Sequence, residues 1–142
     1  MSNPAVFQPS GNPLPLSPDS LAAFRKMREE IIQQSTALIL KTGEFQQIFG
    51  ENAHEIVLNG LTFTAKTLEA IMAVSSEEIM VQQLAWGKDY LSGVGISPQT
   101  VLYTFEVFAQ AMQEKLPPDQ HPGLAEWMKL MIARQREMCD AS

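Results

Sequence analysis

Residues 75–118, SSEEIMVQQLAWGKDYLSGVGISPQTVLYTFEVFAQAMQEKLPP, decide the fold class. They read as two amphipathic helices broken at a Gly-rich, Ser-Pro joint. In the first, Met80, Leu84, Gly87, Leu91 and Val94 recur at helical spacing, flanked by Ile79, Trp86 and Tyr90. Ser75 and Glu78 have the spacing of a capping box for its start, and Gly93 and Gly95 mark its end. Ser97 and Pro98 then supply a cap and a first-turn proline for the second helix. Its apolar face is Val101, Leu102, Phe105, Phe108, Met112 and Leu116, with Ala109 between, and Pro117-Pro118 stops it. Both faces can build a core, and neither carries a catalytic cluster.

Outward from this pair the pattern stays helical. Towards the C-terminus, Pro122 opens a helix with Leu124, Trp127, Met128, Met131, Ile132 and Met138 on one face. Upstream, Ile56, Val57, Leu61, Thr64, Leu68 and Ile71, with Met72, give a stripe running to Val74. Gly60 lies within it, and its expected benefit is close approach of another helix. A short helical piece spans Glu44–Phe49 between Gly43 and Gly50. Before it, Ser17 caps a helix that starts at Pro18, with Asp19 at the positive end of its dipole. Leu21, Phe24, Arg28, Ile31, Ser35 and Leu38 form its stripe. Residues 1–17 hold four prolines and a glycine, so they read as an extended arm or disordered tail; Val6, Phe7, Leu14 and Leu16 give part of it reason to pack on the body or on a partner chain. No segment alternates like a strand. The expectation is an all-α single domain over 18–142, with five long helices and one short one.

Composition narrows the function classes. The chain has 142 residues, enough for one domain with a sizeable core. Sixteen acidic against ten basic residues give a net charge of −6, which opposes binding to a nucleic-acid backbone. The basic clusters Arg25-Lys26-Arg28 and Arg134/Arg136 are followed by glutamates and read as solvated helix faces. Cys139 is the single cysteine, so no intramolecular disulfide forms. No secretory signal pattern is present, and no apolar run reaches the length of a membrane span. A cytoplasmic protein without membrane association is expected.

Chemistry-bearing residues are sparse. His54 falls in a first helical turn and reads as partly exposed; His121, before Pro122, reads as a flanking or capping residue. No HxxxH, CxxC or ExxH spacing offers a zinc site. Phosphate-loop and Gly-x-Ser-x-Gly patterns are missing, and Gly93-Val94-Gly95 lacks the context of a dinucleotide site. Glu29/Glu30 and Glu77/Glu78 are adjacent pairs that do not face each other on a helix. Eight methionines are read first as core filler. Trp86, Tyr90, Tyr103 and Val107 widen the apolar surface of two helices beyond one stripe. That width calls for a second buried face, either a pocket or a subunit interface.

The segment LAWGKDYLSGVGISPQTVLYTFEVFAQAMQEKLP resembles the globin-like domains of phycobilisome-type proteins and the heme-free amino-terminal sensor domains of bacterial stress-signalling complexes. The shared joint is Tyr90-Leu91 followed by Gly95-Ile96, leading into a long aliphatic and aromatic helix. The resemblance implies a globin-like helix order over about 18–138. Heme-binding members need a proximal histidine before the joint, and residues 76–93 contain none; bilin-binding members need a mid-chain cysteine, and Cys139 is too near the end. What it implies here is a body with no iron-ligated heme and no covalent bilin. The functional expectation is a non-enzymatic regulatory or sensor interaction domain with no cofactor, acting as a homodimer through Trp86, Tyr90, Tyr103 and Val107 and through a regulatory protein partner. The alternative is a carrier or sensor of a small apolar ligand in an interhelical pocket.

Overall fold

Serine caps and prolines set the helix starts. A computed structural model describes residues 16–141, and the arm expected at 1–17 lies outside them except for Leu16 and Ser17. The order is α1 Pro18–Leu40, α2 Glu44–Phe49, a 3-10 turn Gly50–Asn52, α3 Ala53–Val74, α4 Glu77–Gly93, α5 Pro98–Lys115 and α6 Pro122–Ala141. Ser17 Oγ accepts from Ser20 N–H at 3.1 Å, and Ser97 Oγ accepts from Thr100 N–H at 3.2 Å. Both helices have proline in the first turn, as the sequence predicts. The start of α4 differs. Ser76 caps it, its Oγ accepting from Ile79 N–H at 3.1 Å. Ser75 instead ends α3 in the left-handed conformation, φ 52°, so its side chain belongs to the turn between the helices.

The long helices enclose one core. α1 packs most extensively on α3 and then on α5, and α5 packs on α6. Phe24, Ile31, Ile39, Leu68, Phe108 and Trp127 are fully buried within it. Phe105 and Met112 join them from α5, as the stripe predicts. Ser35 and Thr36 are buried by returning their hydroxyl protons to the carbonyls of Ile31 and Ile32, at 2.7 and 2.8 Å. Gln135, unremarkable in the sequence, is 2% exposed and donates from Nε2 to the Pro98 carbonyl at 3.0 Å, fastening α6 to the start of α5. Leu16 packs on the core and sits against Gly123 at the start of α6, where a Cβ would lie 2.8 Å from Leu16 Cδ1.

The basic clusters act as cross-helix ties, which corrects their reading as merely solvated faces. Arg25 Nε and Arg28 Nη1 of α1 both donate to the carboxylate of Glu69 on α3, Arg25 at 2.6 Å. Arg134 of α6 donates to Glu77 of α4 at 2.7 Å, and Arg136 reaches Glu106 of α5 at 3.2 Å. Burial raises the Glu69 pKa, but hydrogen bonding from Arg25 and the charges of Arg28 and Arg25 outweigh it, so the carboxyl sits below its ordinary value.

Candidate functional site

α4 is the long helix least committed to the core. Only Met80 and Leu84 of its seventeen residues are buried. Val94, expected in its core stripe, is exposed at the helix end, and Leu91 is partly buried. α4 therefore stands partly away from α3 and α5 and leaves a groove.

The groove has a volume of about 580 Å³ and is overwhelmingly apolar. Its buried wall is formed by Val57, Leu61 and Ile71 of α3, Met80 and Leu84 of α4, and Phe105 of α5. Phe45 and Phe49, stacked at 6.2 Å, contribute from α2, and Met131 and Gln135 from α6. The rim is aromatic. Trp86 and Tyr90 stack with ring centroids 5.3 Å apart and planes within 4°, and Phe63 of α3 lies 5.9 Å from Trp86. Phe63, Trp86 and Tyr90 are nonetheless 52%, 54% and 57% exposed.

Two mid-helix glycines line the groove. Gly60 of α3 and Gly87 of α4 both line it, and a Cβ added at either would meet no atom within 4 Å. The close helix approach expected at Gly60 is not what the residue serves: its missing side chain leaves open space. Each is a mid-helix glycine with ordinary φ, so each costs its helix about 1 kcal/mol relative to alanine without a packing return inside the protein.

The polar content is small. Thr64, Thr67 and Thr104 line the groove, with Asn59, Gln83 and Gln135. Among the described residues Lys88 is its one charged lining residue, and no carboxylate, histidine or cysteine lines it. His54 is exposed at the start of α3; His121 is half-buried, its Nδ1 3.0 Å from Ser20 Oγ, so it bridges the α5–α6 turn to α1. Cys139 is half-buried on α6, and burial, then the charge of Asp140, push its thiol pKa up. Among the described residues no three His, Cys, Asp or Glu side chains gather as metal ligands, and no helix is long and apolar enough to cross a membrane.

Of the four residues expected to form an interface, Trp86, Tyr90 and Tyr103 are exposed and Val107 is buried. Trp86 and Tyr90 come together on the groove rim. Tyr103 is 37% exposed on α5 and does not line the groove. Val107 is 8% exposed and belongs to the core, because its position on α5 faces inward with Phe108 and Ala111. It has little surface to offer a partner. Sequence reasoning passed over Phe63 and Lys88. The signal for Phe63 was its helical spacing with Gly60 and Thr67 beside the core stripe of α3; Lys88, a single cation next to the α4 stripe, gave none. Comparisons with protein-family models, curated proteins and solved structures return no match.

Proposed function

We propose that this protein is a non-enzymatic sensor or carrier domain that takes a small apolar ligand in the groove between α3 and α4. The observation that carries this is the apolar groove of about 580 Å³, lined by two mid-helix glycines whose missing side chains leave it unfilled. A groove of about 580 Å³ lies within the range of sites for small organic molecules, roughly 300–1,000 Å³. Binding there removes apolar surface from water without rearranging the α1–α3–α5 core. Among the described lining residues Lys88 and Tyr90 do not face each other on α4, and no carboxylate, histidine or cysteine stands beside them, which favours binding over catalysis. The globin-like resemblance adds a helix order in which a ligand site between successive helices is natural, and a cytoplasmic sensor role fits the same picture.

Titration with 1-aminoanthracene, a neutral apolar fluorophore, tests this. Wild-type protein should bind one molecule per chain, and Gly87→Leu, which fills the groove from its wall, should bind at least tenfold more weakly while staying folded. Equal binding by both proteins, or none by the wild type, would refute it.

A second reading rests on a separate observation. Phe63, Trp86 and Tyr90 form an exposed, stacked aromatic cluster. Aromatic side chains are favoured anchors in protein interfaces. A regulatory interaction domain would cover this cluster with a second copy of the chain or with a partner. Sedimentation of wild type and Trp86→Glu separates the cases: a dimer converted to a monomer supports it, and a wild-type monomer at micromolar concentration opposes it.

A further inference from the structure

Lys88 gives the groove a polarity that its apolar lining does not require. The chain carries a net charge of −6 with sixteen acidic residues, yet among the described residues the only charged one lining the groove is Lys88. It lies beside Gly87, where the wall opens, and it is half-buried. Among the described residues it makes no ion pair and no hydrogen bond, whereas Arg25, Arg28, Arg134 and Arg136 all have carboxylate partners. Leu84 and Leu91, one turn to either side of it on α4, line the groove with it.

We infer that the ligand is a fatty-acid-like monocarboxylic amphiphile, its carboxylate paired with Lys88 and its chain lying along Leu84, Met80, Ile71 and Phe105. This rests on the proposed ligand-binding function and assigns the class of molecule. The charge complement follows from the ammonium, which has no carboxylate partner among the described residues. One point charge suits one carboxylate. A phosphate ester would call for a guanidinium fork or several convergent donors, and no arginine among the described residues lines the groove. The remaining wall, beyond the threonines and amides, is aliphatic and aromatic, which suits a hydrocarbon body with no further polar groups.

Isothermal titration calorimetry with two probes below their aggregation limits separates head from tail: hexadecanoate, and hexadecanol, which has the same chain and no charge. Hexadecanoate should bind one per chain, about tenfold tighter than hexadecanol, the size of a charge-assisted hydrogen bond at a partly exposed site. Lys88→Gln should weaken hexadecanoate about tenfold and leave hexadecanol unchanged, and tetradecanoate should bind wild type about fifteenfold more weakly than hexadecanoate, since each buried methylene contributes about fourfold. Lys88→Arg should retain tight hexadecanoate binding. If both probes bind equally and Lys88→Gln changes neither, the carboxylate assignment is wrong while the apolar groove stands. If neither probe binds wild type, the ligand-binding function itself fails with it.

Discussion

A methyl group placed on Gly60 or Gly87 would point into empty space. Neither residue needs a left-handed backbone, so alanine gains helix propensity without strain. Gly60→Ala and Gly87→Ala should each raise stability by about 0.5–1 kcal/mol, measured by urea denaturation. A loss of stability would mean that the groove is closed in solution. Elsewhere single side chains hold the fold. Ser97→Ala should cost about 1 kcal/mol, because the Thr100 N–H loses its acceptor, and unchanged midpoints would contradict the cap. Phe108→Ala should cost about 3–5 kcal/mol, since the ring is wholly buried, and a mild effect would contradict its place in the core. At this scale the caps of α1 and α5 were legible because a serine precedes a proline. The cap of α4 was not, because two adjacent serines both fit and only the left-handed turn at Ser75 decides between them. Gly60 was legible as an anomaly, but sequence does not tell a glycine that admits a neighbouring helix from one that faces open space.

The helices differ in how firmly they are held. α1 and α3 share a long buried seam, closed at its edge by Arg25, Arg28 and Glu69. Glu69 titrates lower in the folded protein than its ordinary value of 4.5. Between the folded and unfolded values the unfolded chain binds more protons, so the carboxylate stabilises the fold above the ordinary value, and that contribution is lost as pH falls below it through the folded value. Wild-type stability should therefore fall more steeply on acidification below pH 4.5 than that of Glu69→Gln. Parallel acid limbs in the two proteins would contradict the tie. α4 is the opposite case, tied by the Glu77–Arg134 pair and two buried side chains. Burial there, then the hydrogen bond and charge of Glu77, act on Arg134 in opposite senses, and the net effect raises its pKa, keeping the tie charged. The existence, order and approximate ends of the six helices were readable from caps and stripes. The looseness of α4 was not, since its apolar positions are regular and only the packed structure shows that just Met80 and Leu84 are covered.

At the scale of the whole molecule, one core and one open groove share α3 and α5. The sequence announced surplus apolar surface around the Gly93–Ile96 joint without saying whether it was core, pocket or interface. It divides three ways: Val107 enters the core, Trp86 and Tyr90 edge the groove, and Tyr103 stays on the surface. Charge substitution should separate them. Val107→Glu should unfold the domain, whereas Tyr103→Glu should leave its circular dichroism unchanged. The central claim is that the groove is kept open for a ligand, and it is tested most directly by native mass spectrometry of the protein isolated from its own cells, alongside Gly87→Leu expressed there. The account predicts one additional small, non-covalent mass on each wild-type chain, released on denaturation and missing from Gly87→Leu. A wild-type chain carrying no added mass, or the same mass on both proteins, would contradict it.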